Sequence, residues 1–311
     1  FQEEIMLANN CPTKQMSSPL IETKIWQSIF KASITFFAAL SALISYQDSI
    51  AASQLMVAPT RIIFDGNTRS SKVTLINSGD ETGTYRISVV NKRMTVDGQF
   101  EDVGSPNADE LVADKMIRYS PRQVVLEPGK SQVVRLSLRK PAKLENGEYR
   151  SHLLFKAIPK DAGTDISSLA QSDKISIKLT PIVSITIPVI VRHGKTNATA
   201  KISKVDLIKE EKKTANKTET RPALLLEIER TGNASIYGDV VAEFVRGDGA
   251  GSIVAQVNGI AIYTPNKLRK VKIPLNTPSG VSLKNGIIRV FYRSPTNQGG
   301  KVMSQSQIKI P

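Results

Sequence analysis

The chain has 311 residues, 40% hydrophobic and 23% charged; that is enough for two ordinary domains and fits neither a disordered chain nor a multi-span membrane protein. Lysine and arginine outnumber aspartate and glutamate by 42 to 28, a formal net charge of +14, which raises nucleic acid, an anionic surface or an acidic partner as candidates. Aromatic residues are only 5%, against a base-stacking platform, and the basic residues are spread along strand-like segments, so no nucleic-acid partner is expected.

Near the start, Lys24 and Lys31 precede an apolar run from Ala32 to Tyr46. The run is too short for a bilayer span, which needs about 20 apolar residues. Ser49-Ile50-Ala51 and Ala51-Ala52-Ser53 then offer small-x-small cleavage choices. The pattern is that of an export signal over about residues 24–52, with residues 1–52 as leader. Cys11, the single cysteine, lies before it, leaving the exported part without a disulfide or a CxxC metal site. Two histidines, His152 and His193, are too few for a histidine-based metal cluster. No metal and no cofactor are expected.

From Leu55 onward, short runs rich in Val, Ile, Thr and Leu recur between turn signals. Arg61–Phe64 precedes Asp65-Gly66-Asn67, Lys72–Ile76 precedes Asn77-Ser78-Gly79-Asp80, and Tyr85–Val96 leads into Asp97-Gly98. Ala108–Ile117 is the one short stretch with a possible helical period. Val124–Leu126, Gln132–Leu138, Tyr149–Ile158 and Lys174–Arg192 complete a first set. A second set runs from Ala200 to Ile310. Between its first two strands the dense run Lys209–Arg221, interleaved with Glu210, Glu211 and Glu219, reads as a solvated loop. The predicted fold is all-β: two immunoglobulin-like β-sandwich domains, 53–193 and 194–311, joined by a short hinge at His193-Gly194-Lys195.

Lys174–Arg192 departs from an ordinary strand. Odd positions Ile175, Ile177, Leu179, Val183 and Ile185 are apolar, and the alternation continues to Val191. At about 3.3 Å per residue it would reach about 60 Å, whereas strands are typically 5–6 residues long. One reading is two consecutive core strands kinked at Pro181. The other is a strand lying partly on a sheet edge, offering Ile175, Ile177 and Leu179 to another protein. Lys174 and Lys178 on the opposite face would guard such an edge against aggregation.

Three blocks resemble the periplasmic chaperones of the chaperone–usher pilus pathway. They are Ala58-Pro59-Thr60-Arg61-Ile62-Ile63-Phe64 with Val73–Asn77, then Tyr119-Ser120-Pro121-Arg122-Gln123-Val124-Val125-Leu126-Glu127-Pro128-Gly129 with Gln132–Leu136, and finally Tyr149–Phe155 with the strand ending at Arg192. The resemblance covers about residues 55–195, and its departures are those of a divergent archaic or alternative branch. It implies donor-strand complementation: pilus subunits lack a final strand, and Ile175, Ile177, Leu179, Val183 and Ile185 would fill the gap. It also implies pilus or fimbrial subunits and an outer-membrane usher as partners, a periplasmic location, and no small-molecule substrate.

The family anchors the subunit's terminal carboxylate with a basic pair. Arg61 falls on its arginine, and a guanidinium suits a carboxylate through paired charge-assisted hydrogen bonds. The expected lysine, four residues before Arg192, is Pro188; Arg118 or Lys178 are the candidate substitutes. Glu127 and Arg192 match the family's structural ion pair near the domain junction. No GxSxG, HExxH, P-loop or Cys/His nucleophile pattern is present, so an enzyme is not expected. The competing reading is a secreted pilus subunit or adhesin, but only Ser53–Ala58 precedes the first strand, leaving no room for a pilin's own donor arm.

Overall fold

The computed structural model describes residues 54–159, 182–214, 217–247, 249, 251–276 and 283–311. The expected leader, the donor positions Ile175, Ile177 and Leu179, and Lys178 lie outside the described residues.

In chain order the first half runs β1 (Leu55–Ala58), β2 (Ile62–Phe64), β3 (Ser70–Asn77), β4 (Gly83–Val90), β5 (Lys92–Met94), β6 (Phe100–Asp102), β7 (Ile117–Ser120), β8 (Gln123–Leu126), β9 (Ser131–Leu138), β10 (Gly147–Ile158) and β11 (Ser184–His193). Two larger sheets form from these, in the orders β1-β3-β9-β7 and β2-β11-β10-β4-β8, and β5 and β6 pair as a separate hairpin. Period-two patterning sets which side chains face inward: β9 buries Val134, Leu136 and Leu138 and exposes the residues between them. Pro59, which has no N–H for a ladder, separates β1 from β2, and the chain changes sheets there. The core between the sheets holds Phe64, Leu75, Leu136, Leu153, Phe155, Ile187, Val189 and Val191. Buried Asn77 donates from Nδ2 to the Glu81 and Leu126 carbonyls at 2.6 and 2.9 Å, pinning two turns to one strand end.

The second half runs β12 (Ala198–Thr214), β13 (Lys217–Gly232), β14 (Ile236–Val245), β15 (Ser252–Ile262), β16 (Leu268–Pro274), β17 (Gly286–Arg293) and β18 (Val302–Ile310). Its sheets are β12-β13-β16 and β15-β14-β17-β18, closed over Leu224, Leu226, Ile228, Phe244, Ile262, Val290 and Tyr292. Each half is thus an immunoglobulin-like β-sandwich, and the protein is an all-β, two-sandwich chain. A third apolar cluster, Met94, Ile190 and Tyr263 with Ile63 and Ala261, draws on both sandwiches.

Two local expectations change. Lys209–Arg221 is not a loop: all of it except residues 215–216 belongs to β12 and β13, which pair from Ala198↔Gly232 to Thr214↔Lys217. Alternate charges suit a ribbon because opposite signs meet across it, and Glu210 accepts from Arg221 at 2.9 Å. The possible helix at Ala108–Ile117 is a single 3₁₀ turn, Asp114–Met116.

Candidate functional site

β11 is the strand on which the site is built. Along one side it pairs with β10 from Gly147↔His193 to Lys156↔Ser184. On the other side β2 runs parallel to it and covers only Val189, Ile190 and Val191. The remaining edge, Ser184 to Pro188, has no strand partner among the described residues. The Ala157 N–H donates to the Val183 carbonyl at 3.1 Å, which fixes the alternation of the ladder. Odd positions of β11 bond to β10, so the backbone groups of Ser184, Thr186 and Pro188 point to the open side. Pro188 thus sits where its missing N–H breaks no β10 bond, the placement proline requires in a sheet.

The same register defines a face. Ile63 lies opposite Ile190 on one side, and Arg150 lies opposite Ile190 on the other. Continuing each pairing by two residues puts Arg61 and His152 beside Pro188. Arg61 and Arg150 therefore lie diagonally across β11, with Pro188 and Ile190 between them, on the face turned toward the second sandwich.

Both arginines converge on Tyr263. The Arg150 guanidinium lies 4.6 Å from the ring centroid and that of Arg61 lies 5.7 Å from it, while Arg61 also stacks at 4.5 Å on Tyr237. Aromatic faces attract guanidinium groups, which lets two like charges approach. Arg61 donates to Ser235 Oγ at 3.3 Å, and Arg150 donates to the Thr264 carbonyl at 3.3 Å. Arg150 Nη1 lies 3.4 Å from His152 Nε2. The Nε atoms of both arginines are buried and have no hydrogen-bond partner among the described residues. Arg150 is 9% exposed; burial, and to a smaller extent Arg61, push its proton affinity down. Burial first, then the Arg150 and Lys92 charges, push the His152 pKa down to about 3, so this imidazole is neutral and serves as packing and acceptor. Chemically the site presents two cations with spare N–H donors between aromatic walls, a seat for an anion.

The residues expected from the sequence separate. Arg61 is in this site. Arg118 is not: it lies exposed on β7, in the other sheet, and donates to the Lys115 and Ile117 carbonyls at 3.0 and 3.2 Å. Val183 is 61% exposed where the described part of the strand begins, whereas Ile185 is partly buried against the first core. The pairing of Glu127 with Arg192 is replaced. Arg192 Nε donates to Glu148 Oε2 at 3.2 Å, and Arg192 Nη1 lies 3.5 Å from Asp65 Oδ2. Glu127 follows β8, whose end Leu126 pairs with Gly83. That is the end of β4 next to Ile158, whereas Arg192 sits opposite Glu148, about 30 Å away along β10 at some 3.3 Å per residue. Glu148 itself is fully buried.

Arg150, Tyr237, Tyr263 and Glu148 were missed from the sequence. Arg150 and Glu148 fall inside the block Tyr149–Phe155 or at its margin, where alternation marks them only as strand residues. Only the pairing register and the approach of the second sandwich give them their neighbours.

Residues 54–193 match a family described as pili and flagellar-assembly chaperone, PapD N-terminal domain. Among solved structures, the chain is similar to the CupB2 chaperone of Pseudomonas aeruginosa, at 11% identity and TM-score 0.41, over 82% of this chain and 100% of that one. It is similar to the E. coli chaperone DraB at 14% identity and TM-score 0.38, over 83% and 97%. The CsuC–CsuE chaperone–tip adhesion subunit pre-assembly complex, from archaic chaperone–usher Csu pili of Acinetobacter baumannii, matches at 12% identity and TM-score 0.37, over 83% and 98%. No curated protein matches the chain.

Proposed function

We propose, from the match of residues 54–193 to the pili and flagellar-assembly chaperone family, that the chain is a periplasmic chaperone that lends pilus subunits the edge of β11 and seats their terminal carboxylate on Arg61 and Arg150. The observation that carries this reading is the open edge Ser184–Pro188, adjoining the arginine pair on one strand. An extended segment pairing with that edge gains main-chain hydrogen bonds, and alternate side chains supply selectivity. Exposed Val183, with Ile175, Ile177 and Leu179 before it, provides the inserted residues. The carboxylate would accept from the guanidinium groups, each charge-assisted bond contributing about 1.5–3 kcal/mol. Arg150 takes the second cationic role in place of Arg118 or Lys178, because Pro188 occupies the position where the family's lysine would stand. Domain limits of 53–193 and 194–311, with an exported leader before them, and transfer of the subunit to an outer-membrane usher complete the reading.

Periplasmic co-expression with candidate pilus subunits tests it. The wild-type chain protects its cognate subunit from degradation and co-purifies with it. Val183→Asp and Ile177→Asp reduce recovery of the complex, and Arg61→Ala reduces it independently. Equal recovery of subunit with Val183→Asp, Ile177→Asp and no chaperone at all would falsify strand donation.

A further inference from the structure

The hairpin β5–β6, from Lys92 to Asp102, belongs by sequence to the first sandwich yet ends against the second. Its root is held by the first sandwich. Lys92 Nζ bonds Asp102 Oδ1 across the hairpin itself at 2.7 Å, and outside it Arg93 makes a two-pronged contact with Glu110 at 2.6 and 2.8 Å. Asn91, just before it, accepts from Ser151 Oγ of β10 at 2.7 Å. Its tip is held by the second sandwich. The Lys270 N–H donates to the Val96 carbonyl at 2.8 Å. Asn266 Nδ2 donates to the carbonyls of Met94 at 2.6 Å and Thr95 at 3.4 Å. The Arg269 guanidinium lies over Gly98, and Gly98 has φ +79°, a backbone conformation that favours glycine. Between root and tip, Met94 packs with Ile190 and Tyr263. Phe100 meets His152 edge-on at 5.3 Å and Tyr263 at 6.1 Å.

We propose that β5–β6 is a clasp between the two sandwiches, and that through Phe100 it positions Arg150 and Tyr263 in the arginine seat. Beside it, the direct connection is short: β11 ends at His193 and β12 begins at Ala198. A short connection by itself permits hinge motion, and relative motion of domains is the default where their interface is small. The clasp adds an attachment on another element, beside the contacts of Arg61 with Ser235 and Tyr237 and of Arg150 with Thr264, and restricts that freedom further. It also places the aromatic ring of Phe100 on the two residues that touch Arg150, His152 and Tyr263. Phe100 is thus a positioning residue: its ring acts on the seat through those two side chains. The clasp itself stands independently of the proposed function; its effect on the seat rests on that reading.

The test uses the full chain with Cys11 replaced by Ser and spin labels at exposed Gln132 and Gln256, one on each sandwich. Electron–electron distance measurements give one narrow distribution for the parent. With Phe100→Ala plus Asn266→Ala the distribution becomes broader than the parent's, the expected result when an attachment beside the linker is released. Phe100 is 43% exposed, so its truncation leaves both cores intact. Gly98→Val, acting at the tip by another route, broadens the distribution in the same way. An unchanged width in both variants overturns the clasp. A second arm follows the arginine Nε–H resonances of unlabelled protein during titration with sodium acetate. Arg61 and Arg150 shift together in the parent, and Phe100→Ala abolishes the Arg150 response while Arg61 still responds. If Arg150 responds equally in Phe100→Ala, the positioning role is overturned. If neither arginine responds in the parent while the distances still broaden, the seat fails and the clasp stands.

Discussion

Arg230 and Arg150 are both buried guanidinium groups at the junction of the sandwiches, but their hydrogen bonding differs. Arg230 donates to the carbonyls of Asn266, Gly232 and Ala234, each at 2.8 Å, so its donors are spent on holding turns together. Arg150 and Arg61 each keep a buried Nε–H without a partner among the described residues, a costly state that the proposed carboxylate would relieve. Arg150→Ala is therefore expected to weaken subunit binding by about 1.5–3 kcal/mol, roughly ten- to 150-fold, measured by isothermal titration of the purified subunit complex partner. Thermal stability should hold or rise, because a desolvated cation is removed. His152 gives a pH prediction. Its folded pKa of about 3 lies below the ordinary value near 6.5, so the unfolded chain takes up the proton first. Its contribution to stability is complete above about pH 6.5 and is lost as pH falls toward 3, by up to about 1.4 kcal/mol per pH unit. Urea denaturation of wild type and His152→Asn across this window should show a shallower pH dependence in the variant; parallel curves would remove His152 from the account.

At the scale of the element, β11 is two strands in one. Its C-terminal part is sealed by β10 and β2, and its N-terminal part is sealed on one side only among the described residues. The ladder phase makes a sharp prediction about single backbone groups. Thr186 presents its N–H to the open edge, whereas Ile187 bonds to β10. Thr186→Pro removes an outward donor without breaking a β10 bond, so subunit affinity falls by about 0.5–1.5 kcal/mol with little change in the urea midpoint. Ile187→Pro removes a ladder bond inside the sheet and leaves the facing β10 carbonyl unpaired, costing about 1–3 kcal/mol of stability. If both substitutions unfold the protein equally, Thr186 does not face outward. The β12–β13 ribbon teaches a related lesson: charge density at Lys209–Arg221 suggested a loop, yet β13 pairs with β16 only from Ala223 onward. Cross-strand pairing of opposite charges continues beyond the third strand.

For the whole molecule, what counts is how two ordinary sandwiches are held to make one site. Arg192, at the end of β11, ties buried Glu148 of β10 to Asp65 beyond β2, and Lys140 donates to its carbonyl at 2.8 Å. Three elements meet there, just before the chain enters the second sandwich. Arg192→Ala leaves the Glu148 carboxylate buried without its hydrogen-bonded cation, a loss on the order of 3–5 kcal/mol, read as a lower midpoint in urea. Arg192→Ala combined with Glu148→Leu should recover much of it, because a buried ion pair replaced by apolar groups costs little; no recovery would mean that Glu148 has another indispensable partner.

The sequence by itself determined the fold class and the placement of most strands, among them the strand that runs through Arg192, and it named Arg61 as a candidate anchor. These are properties of local pattern: period-two burial, turn dipeptides and a proline where a lysine was expected are all written within a few residues of each other. Only the tertiary structure decided which charges share a site. Arg61 and Arg150 are 89 residues apart in sequence and meet because β2, β11 and β10 lie side by side in one register. Tyr237 and Tyr263 arrive from the second sandwich. For the same reason Glu127 yields to Glu148 as the partner of Arg192: an ion pair depends on which strand ends adjoin, and strand order is set by packing across the whole sheet, not by any single segment of it.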